Sequence, residues 1–390
     1  MGRQQNTDHI QTTHIGSLPR PHKLLDLLKA KYGHQPYDED ELNSTLAQAV
    51  ADCVRKQVEC GIEIVTDGEY SKPGFFTYIR ERFDGFEARP EQKLILFQKE
   101  VSAFPEYYAQ YFKEAMMGGA ILPIVPVVCT KPVKYKGEEK LQIDIANVKA
   151  AANAAGVPDD HVFLPATAPS GVGINEYYKS DEEYFHALAT ELNKEYRAIV
   201  AAGILVQVDD PFLPDIFVEP GLNDKQKKRR AEIYVEATNV ALSGIAAERV
   251  RFHTCYGINE GPRIHESNLP EVIEYVLKIN AGSFSFEAAN PRHEHEYHLF
   301  ERVKVPDGKV LCPGVITHAS NIVEHPDLIA ERLVRFAKLV GRENVIAAAD
   351  CGFSSQALYR TEVHHTVIWE KFKAMRQGAD LATRRLWGRT

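Results

Sequence analysis

Short apolar segments alternate with longer amphipathic segments along most of the chain. The short segments are rich in β-branched residues, and the longer ones repeat apolar residues at helical spacing. This alternation is typical of a parallel sheet covered by helices. The predicted strands lie at residues 12–17, 62–67, 161–167, 205–211, 249–257, 284–287, 310–317 and 345–352.

The predicted helices complete the repeating unit. They lie at residues 42–60, 181–202, 224–247, 269–280 and 326–340. Eight strands with intervening helices predict the α/β class and a (β/α)8 TIM barrel, in one catalytic domain that spans residues 1–390. Residues 71–160 do not fit a strand and helix pair. The runs 121–129 and 131–140 there predict a β-hairpin, inserted between strands two and three.

Four residues with metal-binding side chains fall at the predicted carboxyl ends of strands. His253 and Cys255 lie two residues apart, so an extended strand points both to one face. Glu287 ends a second strand, and Cys351 ends a third. Alone, a cysteine is more often a small core residue and a histidine a satisfied one. Because barrel enzymes collect their chemistry at these ends, the four together predict a tetrahedral Zn²⁺ site.

Further polar residues follow the same strand ends. Ser17, Glu69, Asp209, Asp210 and His318 are candidates for binding or catalysis. Each of them could instead be an ordinary turn or cap residue. Asp210 precedes a proline and suits the start of a turn equally well, so Asp209 is the stronger candidate.

Composition and charge exclude several function classes. The 390 residues are 44% hydrophobic and carry a net charge of −8, which gives no reason to expect nucleic acid or an anionic membrane as partner. The amino terminus lacks the apolar core of a signal peptide, and no apolar run reaches the length of a membrane span. Six cysteines without close pairing favour a reducing cytoplasm. A homo-oligomer is compatible with the sequence.

The predicted ligand set indicates a particular chemistry. Two thiolates, one carboxylate and one imidazole give the shell a net negative charge, which is poorly suited to generating hydroxide. Such a metal can instead bind a substrate thiol in its deprotonated form. This predicts alkyl transfer to a thiol, with the oxygen ligand Glu287 yielding its place. His318 is the candidate acid that protonates the leaving group.

Seven motifs, taken in order, resemble the catalytic carboxyl-terminal barrel of cobalamin-independent methionine synthase over nearly the whole chain. They lie at residues 14–19, 67–69, 207–211, 253–255, 286–287, 313–318 and 350–352. The resemblance implies methyl transfer to homocysteine and a role in methionine biosynthesis. It implies that the zinc ligands are His253, Cys255, Glu287 and Cys351. It also implies that Ile15, Ser17, Glu69 and Asp209 hold homocysteine, and that His318 is the proton donor.

The chain departs from that family on the side of the methyl donor. It has no counterpart of the second barrel that helps to bind the polyglutamate tail of methyltetrahydrofolate. The family tryptophan that stacks on the pterin is absent from the loop at residues 168–173. Tyr177 or Tyr178 could stack instead, although helix packing explains these tyrosines as well. The resemblance therefore supports the zinc and thiol half of the site more than the half that binds the methyl donor. The donor is expected to be methyltetrahydrofolate or another alkyl donor.

Other enzymatic and non-enzymatic readings remain open. Epoxyalkane:coenzyme M transferases resemble the same barrel, and their sulfonate thiol needs cations that Arg292 and His293 could supply. The run at residues 290–296 could equally be a solvated helix start. A zinc hydrolase is a remote alternative, because it should show more histidine ligands. A purely structural zinc site would not need the neighbouring acids.

Overall fold

The computed structural model describes residues 5–75, 77–92, 96–114, 120–122, 124–257 and 260–388. Helices α1 to α12 span His22–Tyr32, Glu39–Glu59, Ile79–Arg82, Gln98–Ala103, Pro105–Glu114, Glu138–Ala154, Asp181–Ala201, Phe212–Val218, Asp224–Ala241, Leu269–Val276, Pro326–Val340 and His365–Trp387. Strands β1 to β9 span Phe83–Ala88, Val127–Tyr135, Phe163–Thr167, Ile174–Asn175, Leu205–Asp209, Val250–His253, Ser283–Phe286, Val310–Ile316 and Ala348–Ala349.

The centre of the molecule is a curled, six-stranded parallel sheet. Its strand order is β3-β5-β6-β7-β8-β9, and every neighbouring pair is parallel. All residues of β3, β5, β6, β7 and β8 are buried, as expected when helices cover a parallel sheet. The predicted α/β class is therefore confirmed.

The two remaining predicted strands take part in the sheet through single bridges. Parallel bridges join Thr12 to Ala347, Thr13 to Ile64 and Val65 to Val162. Residues 12–17 and 62–67 thus lie between β9 and β3, although they form no longer ladder in the described part of the chain. The predicted helices correspond to α2, α7, α9, α10 and α11.

Three long helices, α1, α6 and α12, were not predicted; α6 lies in the segment read as a hairpin insertion. α1 follows Pro21, and α12 runs over the amino-terminal segment. There the Phe372 ring lies 5.1 Å from the ring of His14. Among the described residues, every helix is too short or too polar to cross a lipid bilayer.

The segment at residues 71–160 differs from the predicted hairpin. Residues 127–135 form one continuous strand, β2, and its antiparallel partner is the distant β1. The register between them shifts beside Gly85, whose added Cβ would lie 2.8 Å from the carbonyl oxygen of Pro132. A proline suits such an irregularity because it has no N–H to give to the ladder. The prediction instead assigned the runs 121–129 and 131–140 to a hairpin, and residue 123 of the first run lies outside the described residues.

A buried charge network fastens this segment to the sheet. Arg82, at the end of α3, pairs with Asp144 of α6 and with Glu195 of α7. The Tyr78 hydroxyl donates to Glu195 Oε1 at 3.1 Å and accepts from the backbone N–H of Thr167, the last residue of β3, at 3.1 Å. Because all of these side chains are buried, each charge depends on its partners.

Replacing Arg82 by methionine should lower the free energy of unfolding by about 3–5 kcal/mol, because two buried carboxylates lose their cation. Urea unfolding measures the loss. The matched control is Arg55→Met, which removes an exposed arginine that pairs with Asp52 and Glu59 and should leave the free energy of unfolding close to the wild-type value. Equal losses in the two variants would contradict the structural role given to Arg82.

Candidate metal and substrate site

The carboxyl ends of β5, β6, β7 and β9 bring the candidate residues to one edge of the sheet. His253 is the last residue of β6, and Cys255 follows two residues later. Glu287 directly follows β7, and Cys351 lies two residues beyond β9. The Thr254 N–H donates to the Ser285 carbonyl at 3.0 Å, which continues the parallel pairing past the end of β6.

His253, Cys255 and Cys351 form a compact buried group, called here the thiol-imidazole group. One ligand atom from each residue lies within 4.8 Å of the others. Neither ring nitrogen of His253 has a hydrogen-bond partner in the described part of the chain. Buried polar atoms are nearly always satisfied, so these orphaned nitrogens indicate a missing ligand. Two sulfurs and an imidazole nitrogen are a donor set that fits Zn²⁺.

The electrostatics of this group also suit a metal. Burial and the nearby Arg251 guanidinium lower the pKa of His253 to about 3, which keeps the imidazole neutral, the form that binds metal. A hydrogen bond with the Cys255 thiol, together with burial, raises the pKa of Cys351 well above its usual range. Without a cation nearby, the Cys351 sulfur therefore keeps its proton at neutral pH.

Glu287 belongs to a second buried group, with His318 and Asp350. Its Oε2 accepts from Arg263 Nη2 at 2.7 Å and from Asn290 Nδ2 at 2.6 Å. The structure thus does not bring Glu287 into the thiol-imidazole group, and its role as a zinc ligand stays a prediction. Neither ring nitrogen of His318 has a hydrogen-bond partner among the described residues. Burial and Arg263 lower the pKa of His318 to about 4.

A cavity of about 320 Å³ opens onto the thiol-imidazole group. Its volume is at the lower end of the range for small-molecule sites. Four predicted substrate residues line it together with the three metal-site residues: Ile15, Ser17, Glu69 and Asp209. The outer wall is largely apolar and includes Phe75, Phe97, Phe212 and Leu358. His318 and Asp210 are not among the residues that line this cavity.

The backbone at Gly16 and Glu69 lets the Glu69 carboxylate lie close against the chain at Gly16. Gly16 has a φ of +139°, and an added Cβ there would lie 2.6 Å from Pro165 Cγ and 2.9 Å from Glu69 Oε1. Glu69 itself has a φ of +60°, and its N–H donates to Asp67 Oδ1 at 2.9 Å. Strained backbone of this kind is typical of functional sites. Only glycine at position 16 leaves room for the Glu69 carboxylate at the cavity wall.

Asp209 and Glu69 place two carboxylates in the same part of the cavity. Gln207 Nε2 donates to Asp209 Oδ1 at 2.7 Å. Burial and the charge of Glu69 raise the pKa of Asp209 well above its usual range. The Lys72 ammonium lies 3.8 Å from Glu69 Oε2 and gives its hydrogen bond to the Pro165 carbonyl. One ammonium does not neutralise two carboxylates, so this pair attracts a further cationic group such as a substrate ammonium.

Asp210 has a local structural role. Its Oδ1 accepts from the Ser170 hydroxyl at 2.7 Å and from the N–H groups of Phe212 and Leu213 at 3.0 Å. This is the turn-forming pattern that a residue before proline favours. Its predicted part in substrate binding therefore gains no support from the geometry.

The residues suggested for an anionic thiol lie elsewhere. The Arg292 side chain is exposed. His293 is buried between Glu266 Oε2 at 3.2 Å and Glu296 Oε2 at 2.8 Å, and it stacks on Tyr256. No lysine or arginine is among the described residues that line the cavity. A sulfonate would thus find no cationic side chain on this wall. Tyr177 and Tyr178, suggested for pterin stacking, do not line it either.

Several residues at the site were not found from the sequence. Arg263 and Asn290 hold Glu287 from loops that lack any periodic pattern. Asp215 and Glu362 add two further carboxylates to the cavity wall. Burial raises the pKa of each to about 7. Asp215 follows Asp209 by six residues, a position that a search of the first turn after each strand could have included.

Comparison with known families and proteins identifies relatives. A family model described as "Cobalamin-independent synthase, Catalytic domain" matches residues 166–376. The chain is 23% identical over 384 residues to a protein named methionine synthase from Thermococcus kodakarensis, with 97% of this chain and 94% of that protein covered. It is 24% identical over 352 residues to a methionine synthase from Saccharolobus islandicus, with 88% of each covered.

Solved structures show the same fold. One is a B12-independent methionine synthase from Shewanella sp. W3-18-1 in complex with selenomethionine, with a TM-score of 0.72, 20% identity and coverage of 97% of this chain and 99% of that chain. Another is a putative vitamin-B12 independent methionine synthase from Listeria monocytogenes, with a TM-score of 0.66, 20% identity and coverage of 96% and 99%.

The metal content of cysteine variants tests the thiol-imidazole group. Cys351→Ala should lose most of the bound zinc, because it removes one of three protein donors. Cys60→Ala should keep it, because Cys60 caps α2 outside this group. Elemental analysis after gel filtration measures zinc per chain. Stoichiometric zinc in the Cys351→Ala protein would contradict the site.

Proposed function

The chain belongs to the cobalamin-independent synthase family, and we propose that it transfers a methyl group to the thiol of homocysteine, giving methionine. The observation that carries this proposal is the position of the thiol-imidazole group. Its buried sulfur and nitrogen atoms lie in the wall of a cavity that Glu69 and Asp209 also line. A thiol and an ammonium of one amino acid substrate can therefore be held at the same time.

The substrate would be held by the predicted binding residues. Glu69 and Asp209 would bind the ammonium group through charge-assisted hydrogen bonds. The Ser17 hydroxyl would donate to the substrate carboxylate, and Ile15 would pack against its aliphatic carbons. Ser17 is held for this by the chain after Cys351, since its Oγ accepts from the Ser354 N–H at 3.3 Å. Positioning of this kind aligns the sulfur for attack.

We propose that His253, Cys255 and Cys351 hold Zn²⁺. When bound, this ion lowers the pKa of a thiol that reaches it, so that the sulfur can attack as a thiolate. The reaction balances as homocysteine plus a methyl donor giving methionine plus the demethylated donor, with the thiol proton ending on the donor. The apolar walls exclude water from the sulfur and strengthen the electrostatic interactions around it.

His318 is proposed to pass the proton to the leaving group; because its lowered pKa keeps the ring neutral at pH 7, it would take up a proton before giving one. The support is that both ring nitrogens are without partners among the described residues, and that Asp350 lies in the same group. The donor is proposed to be methyltetrahydrofolate or a similar methyl compound that enters along the apolar wall. The aromatic residues that could stack on it are Phe75, Phe97 and Phe212.

The finer architecture is also a proposal. The bridges at Thr12, Thr13 and Val65 support closure of the sheet into an eight-stranded (β/α)8 barrel. Such a barrel would make residues 1–390 one catalytic domain, with residues 71–160 as an insertion above the site. A cytoplasmic location agrees with six cysteines that are all free of disulfide bonds.

Steady-state kinetics of methionine formation, with methyltetrahydrofolate as donor, test the assignment of Asp209. Asp209→Asn should raise the KM for homocysteine about tenfold to a hundredfold, because the hydrogen bond to the substrate ammonium loses the charge of the carboxylate. Asp210→Asn is the matched control. It should leave KM near the wild-type value, since an asparagine oxygen can still accept from the N–H groups of Phe212 and Leu213. An unchanged KM in Asp209→Asn would contradict the proposed role.

A further inference from the structure

A buried polar layer lies directly below the substrate residues, inside the curled sheet. The register pairs Gln207 of β5 with Arg251 of β6, one layer below the pair Asp209 and His253. Because side chains alternate along a strand, Gln207 and Asp209 point to one face. Arg251 and His253 do so for the same reason. Gln207 is 0% exposed and Arg251 is 4% exposed, so both side chains depend on partners inside the protein.

The Arg251 guanidinium donates to three neutral acceptors. Nε donates to Gln207 Oε1 at 2.6 Å, Nη1 to Thr13 Oγ1 at 2.8 Å and Nη2 to the His14 carbonyl at 2.9 Å. Its central carbon lies 4.0 Å from the centroid of the Phe163 ring. Since a buried charge is costly unless it is hydrogen-bonded, these contacts hold the guanidinium in one place.

Arg251 also determines which way the Gln207 amide faces. A guanidinium can only donate hydrogen bonds, so it requires the amide oxygen Oε1. The amide nitrogen is thereby turned to the other side, where Nε2 donates to Asp209 Oδ1 at 2.7 Å and to the Ile15 carbonyl. Both N–H bonds of the amide are then in use. A reversed amide would place its oxygen against the Asp209 carboxylate, which would repel it.

The same two side chains fasten the amino-terminal segment, residues 12–17, which carries two of the predicted substrate residues. Single bridges join this segment to the sheet at Thr12 and Thr13. Arg251 and Gln207 add hydrogen bonds to three of its consecutive residues. The position of the segment at the cavity therefore depends on side chains from β5 and β6.

We propose that Arg251, acting through Gln207, is a positioning residue for homocysteine. It fixes Asp209 Oδ1 against Gln207, which leaves Oδ2 to bind the substrate ammonium, and it sets residues 12–17 at the cavity wall. The inference rests on the proposed function and goes beyond it. Neither Arg251 nor Gln207 is among the described residues that line the cavity, so both act on the substrate through other residues.

Homocysteine binding by the zinc-loaded protein, measured by isothermal titration without a methyl donor, tests this inference. Gln207→Leu should weaken binding about tenfold or more, because Asp209 and Ile15 lose the donor that orients them. Arg251→Met should also weaken binding about tenfold, because the amide is then free to reverse. Arg251→Lys keeps a cation that can donate to Gln207 Oε1, so it should bind more tightly than Arg251→Met. Wild-type affinity in folded Gln207→Leu or Arg251→Met protein would overturn the inference.

A double variant tests whether Arg251 acts through Gln207. The loss of affinity in Arg251→Met/Gln207→Leu should be smaller than the product of the two single losses, because both changes break one chain of contacts. Losses that multiply would contradict the proposal. If these variants do not fold, Gln207→Asn decides. It keeps a buried amide that is too short to reach both Arg251 and Asp209, so it should also bind homocysteine more weakly, and wild-type affinity would contradict the proposal.

Zinc content separates positioning of the substrate from an effect on the metal. Zinc per chain should stay at the wild-type level in the Gln207 and Arg251 variants. Loss of zinc would overturn the inference, because the effect would then run through His253. The matched control is Arg332→Met, which removes a buried arginine that pairs with Glu294. It should lose stability and keep its affinity for homocysteine, and an equal loss of affinity there would point to general destabilisation and contradict the proposal.

The wild-type titration distinguishes the two possible failures. No binding of homocysteine by the zinc-loaded wild-type protein would overturn the proposed function, and this inference with it. Binding by the wild type with unchanged affinity in the variants would overturn the role of Arg251 and Gln207 alone.

Discussion

Parallel hydrogen bonding between β5, β6 and β7 is the interaction on which the site depends. The register pairs Asp209 with His253 and His253 with Ser285. Because parallel strands end at the same edge, the ladder delivers an acid, an imidazole and, two residues later, a thiol to one rim. The ladder itself brings Asp209 and His253 together, and the bond from the Thr254 N–H to the Ser285 carbonyl extends the pairing toward Cys255. The loops supply charged and polar groups, such as Arg263 and Asn290, that hydrogen-bond to the residues at this rim.

Burial then determines what those groups can do. His253, Cys255 and Cys351 are each at most 5% exposed, so an unbound polar atom among them is costly. A metal that satisfies the imidazole and both sulfurs removes that cost, which links metal binding to the stability of the rim. Burial also makes an unpaired charge on Glu287 costly. The Arg263 guanidinium, 2.7 Å away, supplies the compensating positive charge.

Local patterns predicted the parts of the site that depend on local geometry. The two-residue spacing of His253 and Cys255 works because side chains alternate along a strand. The positions of Glu287 and Cys351 followed from the strand ends. The partner of Glu287 could not be read in this way, because Arg263 reaches it from a loop 24 residues away. Asp210 shows the converse: it forms a turn, yet in the sequence it looks like the neighbouring candidate Asp209.

The fold shows the same division. Buried strands and amphipathic helices were predicted because each carries its own periodicity. The pairing of β1 with β2 depends on contacts between distant residues and on an irregularity beside Gly85, and neither has a signal in a short window. Helix α12 was not predicted because it carries no functional motif. It packs over the amino-terminal segment near His14.

The central claim is that a substrate thiol reaches a metal held by His253, Cys255 and Cys351. Zinc-edge X-ray absorption of the purified protein tests it most directly. Two sulfur neighbours should be present without substrate and three with homocysteine, while coenzyme M should leave the number at two. A sulfur count that stays at two with homocysteine would contradict the account, and a third sulfur only with coenzyme M would favour epoxide opening instead.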